Sequence, residues 1–159
     1  MVRLGLIAAC VLLAAATGGA ATVSLDLDSS LLFAVPGQSA TFTGVVTNTG
    51  AAIAFLNGDS FVFPYPIDDS PFFVTVPPTL APGASASGPL FSALIPASAP
   101  LGLYVGSFSI LGGDDAGAAA VLDTATFAVQ AIPEPGTFAM FGAAVVLAGW
   151  RLRRGRTGS

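Results

Sequence analysis

Only carboxylates and hydroxyls are available for chemistry in the long interior of this chain. The sequence has no histidine and no lysine, its single cysteine is Cys10, and its five basic residues are Arg3, Arg151, Arg153, Arg154 and Arg156. A Ser-His-Asp triad, a thiol nucleophile, a Schiff-base lysine and an arginine phosphate clamp are therefore all excluded between residues 22 and 132. Two adjacent carboxylate pairs remain, Asp68-Asp69 and Asp114-Asp115, which offer the groups that acid-base hydrolysis would use. Each sits beside turn residues, where aspartate more simply hydrogen-bonds its own backbone, so no enzymatic activity and no cofactor are expected. Asp26, Asp28, Asp59, Asp114 and Asp115 are hard oxygen ligands of the kind Ca²⁺ takes, but their spacing matches no calcium loop and no metal site is expected. Eight aspartates without a base disfavour nucleic acid as a partner, since they offer phosphates only repulsion.

Two further patterns concern binding. Thr41-x-Thr43, Thr47-x-Thr49 and Thr124-x-Thr126 place hydroxyls on one strand face, as an ice-ordering surface would, yet no repeat of fixed period stacks them, and ordinary sheet positions are the better reading. Phe61, Phe63, Tyr65, Phe72 and Phe73 offer a sugar platform, with core packing the stronger reading.

The elements that must position these groups follow from charge and hydropathy. Hydrophobic residues make up 53% of the 159 and charged residues only 9%, against about 25% in an average protein, which excludes a highly charged disordered chain. All positive charge lies at the two ends. Residues 1–21 read as a signal peptide: Arg3 is the positive region, 4–16 the apolar core, and cleavage after Ala20 or Ala21 by signal peptidase is expected. Ile7-Ala8-Ala9-Cys10 resembles a lipobox, but Cys10 falls in the middle of the apolar run, too near Arg3 for an acylated thiol, and is read as a small apolar residue.

The other end carries Ile132-Pro133-Glu134-Pro135-Gly136-Thr137, then the charge-free run 138–150, then four arginines within 151–156. Pro133 and Pro135 fix φ and remove backbone donors, which predicts an extended, protease-accessible strand. The thirteen residues of 138–150 give about 20 Å of helix against a hydrocarbon core of about 30 Å, so the span is marginal without its flanks. Phe138, Met140, Phe141, Val145, Val146 and Leu147 are its apolar contacts and Trp150 its interfacial aromatic. Arg151, Arg153, Arg154 and Arg156 resist translocation, so the segment reads as a stop-transfer transmembrane helix with a cytoplasmic tail and the acidic body outside.

This order of elements resembles the PEP-CTERM sorting segment of exported Gram-negative proteins, with Ile132 where valine is commoner and Gly136 where serine or alanine is. The resemblance implies that Pro133, Glu134 and Pro135 are recognised by an exosortase, which removes the helix. It further implies a body first periplasmic at the inner membrane and finally in the outer envelope or outside the cell, in company with exopolysaccharide or biofilm. The same segment also circulates under an ice-binding label.

Residues 22–131 are expected to form one all-β domain, with 132–159 as the sorting segment. Val23, Leu25 and Leu27 alternate with polar residues, and 39–47 alternate again after the Pro36-Gly37 turn. Further strands are predicted at 31–35, 53–56, 60–63, 72–76, from Pro82-Gly83 to about 95, and at 103–111 and 118–129, the last two a hairpin around 112–117. About eight short strands and no amphipathic helix predict an antiparallel β-sandwich of seven to nine strands. The turn residues and Leu101-Gly102-Leu103-Tyr104 resemble bacterial immunoglobulin-like extracellular modules, which implies that Tyr104 makes the corner hydrogen bond of such folds.

Overall fold

The computed structural model describes residues 21–134 and Gly136. The signal peptide core, the apolar run 138–150 and the basic tail lie outside the described residues, among which no helix is long and apolar enough to cross a membrane.

Among the described residues, nine strands and one short helix follow in the order β1 (Val23–Leu27), β2 (Leu31–Ala34), β3 (Ser39–Asn48), β4 (Ala54–Val62), β5 (Ile67–Asp68), α1 (Ser70–Thr75), β6 (Thr79–Leu80), β7 (Ser85–Leu94), β8 (Gly102–Gly113) and β9 (Ala120–Ala131). They form a four-stranded sheet, β1-β3-β7-β5, facing a five-stranded sheet, β2-β9-β8-β4-β6. The first strand is split between the sheets: β1 lies antiparallel to β3, and after Asp28 the chain crosses over so that β2 runs parallel to β9. With β3 and β7 adjacent in one sheet and β9, β8 and β4 in the other, this is an immunoglobulin-like β-sandwich.

Local signals explain most of the strand limits. Val35-Pro36-Gly37-Gln38 and Ala81-Pro82-Gly83-Ala84 are the same turn used twice. In each, the fourth N–H donates to the first carbonyl at 2.9 Å and glycine takes positive φ, 94° at Gly37 and 72° at Gly83, where a Cβ would be strained. The β3 alternation buries Ala40, Phe42, Val46 and Asn48 while Thr41 faces out.

Two expectations are corrected. Residues 72–76 form no strand; Ser70–Thr75 is the helix α1, with proline in its first turn. The β propensity of phenylalanine and valine loses there to a local start signal. Asp68 Oδ1 accepts from the Ser70 N–H (3.0 Å) and hydroxyl (2.6 Å), and Pro71 is preorganised for a helix start. Only Phe72 of the helix is buried. The 53–56 and 60–63 segments are one strand, because Asn57-Gly58-Asp59 is a bulge between Leu56 and Gly58 rather than a turn.

The core is aromatic. Phe42 and Phe91 from the first sheet meet Phe108 and Phe127 from the second, with Phe91 centroids 4.9 Å from Phe42, 4.6 Å from Phe108 and 4.8 Å from Phe127. A bulge opposite Phe42/Thr43 lets consecutive Leu90 and Phe91 both point inward, each fully buried. Pro89, beside that bulge, is tolerated inside a paired strand for the same reason.

Candidate functional site

The sorting motif starts where the sheet stops. The β2–β9 pair registers Leu31 to Ala34 against Ala128 to Ala131, with Ala34 and Ala131 buried. One more bond follows, from the Ile132 N–H to the Ala34 carbonyl at 2.9 Å. Pro133 has no N–H to continue the ladder, and the chain leaves the sandwich there with Pro133 half-buried and Glu134 exposed. The Pro133-Glu134 step is thus fixed on its N-terminal side by the last rung of the sheet.

The surrounding exit end of the sandwich carries no charge in its loops. The Pro36-Gly37 turn packs on the β7–β8 connection: the Gly37 N–H donates to the Ile95 carbonyl (2.7 Å) and the Ile95 N–H to the Gln38 carbonyl (3.0 Å). Tyr104, near the start of β8, donates its hydroxyl to the Pro100 carbonyl at 2.6 Å, the expected corner bond, and packs edge-on against Tyr65 at 4.9 Å.

Of the residues singled out from sequence, Pro133 and Glu134 come together at this exit. Pro135, Phe138, Met140, Phe141, Val145, Val146, Leu147, Trp150, Arg151, Arg153, Arg154 and Arg156 lie outside the described residues, as do Cys10 and Ala20. Ala21 sits at the opposite end of the sandwich, its N–H bonded to Asp114 Oδ1 at 2.6 Å. Ala21 and Pro133 are therefore a strand length apart, roughly 35 Å at about 3.3 Å per residue.

The carboxylates are dispersed into local duties. Asp68 binds Ser70, which holds its pKa below the ordinary value, and Asp115 Oδ1 accepts from the Gly117 N–H at 2.7 Å. Asp28 accepts from the Thr43 hydroxyl at 2.6 Å, and Asp26 faces out from β1. Among the described residues no three acidic side chains converge on a point that would hold a metal ion.

Two acids that the sequence did not single out for their actual roles stand apart. Asp123 Oδ2 reaches from β9 across to the other sheet and accepts the Leu25 N–H at 2.7 Å, covering a donor of the edge strand β1. Asp59 opposes Ile110, and its Oδ2 is buried without a hydrogen-bond partner. Burial, and then the charge of Asp69, raise its pKa from 3.8 to about 6.

The threonines make no single array. Thr41 bonds to Ser92 and Thr47 to Ser85, each at 2.8 Å, on the four-stranded sheet, whereas Thr124 bonds to Ser109 on the other. Of the aromatic stretch, Phe72 is buried and Phe63 and Tyr65 pack on the core, while Phe61 and Phe73 are exposed.

A family model of the PEP-CTERM protein-sorting motif matches residues 131–154, the segment that begins with the last residue of β9. The chain carries a PEP-CTERM sorting motif. It is accordingly an exported protein that transits and associates with the membrane and is processed by an exosortase. No curated protein matches the chain. Among solved structures it is similar to the CARDB domain of a Pyrococcus furiosus protein crystallised in complex with di-metal ions, at 19% identity and a TM-score of 0.36 over 73% of this chain and 96% of that one.

Proposed function

We propose that this PEP-CTERM protein is a non-enzymatic component of the cell envelope or extracellular matrix. Its sandwich is carried across the inner membrane, held there by the 138–150 helix, and released or transferred outward when the exosortase cuts at Pro133 to Pro135. Its final place is the outer envelope or the extracellular space, in a matrix of exopolysaccharide. The observation that carries this reading is the end of the β9 ladder at Ile132, directly followed by an exposed Glu134 inside the matched segment. Signal peptidase acts at the other end, near Ala20 and Ala21.

The test is intact-mass measurement of the mature protein from its native host, with and without the exosortase gene. The expected product lacks the C-terminal helix only when the exosortase is present, and Glu134→Ala retains the helix in both. A helix kept in both strains for the natural chain would overturn the reading.

A second reading, an adhesive or carbohydrate-binding module, is favoured by the outer face of the four-stranded sheet. Ser24, Thr47 and Ser85 form one cross-strand row there and Thr41 with Ser92 another, presenting hydroxyls a glycan could hydrogen-bond. Saturable binding to a polysaccharide array, lost on Thr41→Val with Ser92→Ala, would support it.

A further inference from the structure

The outer face of the five-stranded sheet is divided along its length. Midway along the sheet the outward residues are hydroxyl-bearing, Ser109 paired with Thr124 and Ser107 with Thr126, and beyond them at the hairpin a single apolar pair follows, Leu111 with Val121, the latter 61% exposed. In the half toward the chain exit they are apolar. Phe33 and Leu103 flank Gln130 in one cross-strand row, Leu31 and Val105 flank Ala128 in the next, and Val62 lies diagonally beside Val105. These are large side chains left open to water: Phe33 is 64% exposed, Leu103 56%, Val105 57% and Val62 72%. No charged residue stands in these rows, whereas Asp114, Asp115 and Asp123 all lie toward the hairpin. A contiguous uncharged patch of this kind on an acidic exported domain marks a surface that is covered in use.

We propose that this half-face rests on the outer surface of the lipid bilayer while the chain is anchored. The occupant is chosen by the tether. Between Ile132, fixed by its bond to Ala34, and Phe138, where the apolar run starts, lie only residues 133–137, five residues reaching at most roughly 20 Å. The exit end is thereby confined to the interface, where even a weak apolar contact operates at high effective concentration. The patch lies on the strands that flank this exit, β2 and β8 on either side of β9. The contact would hold the sandwich on its side and fix how Pro133 and Glu134 are presented. The inference rests on reading 138–150 as the bilayer anchor.

The test uses the full chain, with Cys10→Ala, reconstituted in vesicles of phosphatidylethanolamine and phosphatidylglycerol. Nitroxide labels are placed at Val105→Cys or Leu103→Cys on the patch and at Thr41→Cys on the opposite sheet, and their collision rates with oxygen and a water-soluble nickel chelate are compared. The expected oxygen-to-nickel ratio is several-fold higher at 105 and 103 than at 41, and is unchanged when protein is diluted into more lipid. Equal ratios in a chain that resists alkaline extraction would overturn this inference alone. Protection of 105 that disappears on dilution would replace the bilayer by a second copy of the chain. Release of the chain by alkali would overturn the anchor reading and this inference with it.

Discussion

At the hairpin end of the sandwich, closure is achieved by polar side chains; at the exit end, by backbone, one tyrosine and apolar surface. Asn48 is the hub of the first. Fully buried, it donates to the Ala52 and Leu80 carbonyls, both at 2.8 Å, and accepts from the Gly50 N–H at 2.9 Å, tying β3, its following loop and β6 together. Asn57 bonds the Asp115 and Ala118 carbonyls and so holds the hairpin loop. The exit end instead uses the Pro36-Gly37 turn against Ile95, the Tyr104 corner and the Ile132–Ala34 bond. A polar closure is specific and indifferent to its surroundings once satisfied. An apolar one leaves surface that a neighbouring phase can cover, and here it is the apolar end from which the sorting motif leaves the sandwich.

The comparison breaks most completely at what the ends share. Phe91→Ala removes the ring that contacts Phe42, Phe108 and Phe127, and is expected to cost about 4 kcal/mol in urea unfolding. Both ends should then melt together; separate transitions would mean that they do not share one core. Next in size is Asn48→Ala, which removes the amide donors to the Ala52 and Leu80 carbonyls and leaves the Gly50 N–H only its bond to the Thr22 carbonyl, and should cost about 3 kcal/mol, with the loss of amide protection concentrated at the hairpin end.

Asp59 sharpens the contrast with pH. Its pKa is raised from 3.8 to about 6 on folding, so the folded state keeps this proton longer than the unfolded chain does. The stability tied to the protonated carboxyl is complete below 3.8 and is lost as pH rises through about 6. Asp59→Asn should therefore be more stable than the natural protein above pH 6, by about 1 kcal/mol after allowing for solvent screening of a partly exposed group, and show no advantage at acid pH. An equal gain at every pH would refute the unpaired carboxylate as its cause. The smallest effect is expected at the exit end, where Tyr104→Phe loses one bond to Pro100 and should lower Tm by a few degrees without altering exosortase processing.

Much of this fold was legible from residue order. Proline-glycine pairs mark turns because proline presets φ and glycine accepts a positive one, and both such turns stand where expected. The terminal hairpin and the alternation of β3 were legible from period-two patterning, and the Tyr104 corner from the resemblance of the Gly102-Leu103-Tyr104 step at the start of the penultimate strand to immunoglobulin-like modules. Helix α1 was not, because phenylalanine and valine at 72–76 suit a strand, and it is Pro71 together with the bonds that Ser70 donates to Asp68 that tip that segment toward a turn of helix. The single strand β4 was missed because Asn57-Gly58-Asp59 has turn composition; what makes it a bulge is Asn57 reaching a loop more than fifty residues away.

The division between chain and fold is sharp for function as well. Residue order alone determined the sorting motif, since Pro-Glu-Pro, a charge-free run and clustered arginines act through local φ restriction, hydropathy and charge, none of which needs a partner elsewhere in the chain. The tertiary structure decided which apolar residues stay outside. Leu103 and Val105 are as apolar as Phe108 and Ile110, and only cross-strand register, with the bond of Ile132 to Ala34 as its last rung, assigns one pair to the surface and the other to the core. Register is a property of two strands at once, which is why hydropathy along a single strand could not reveal it.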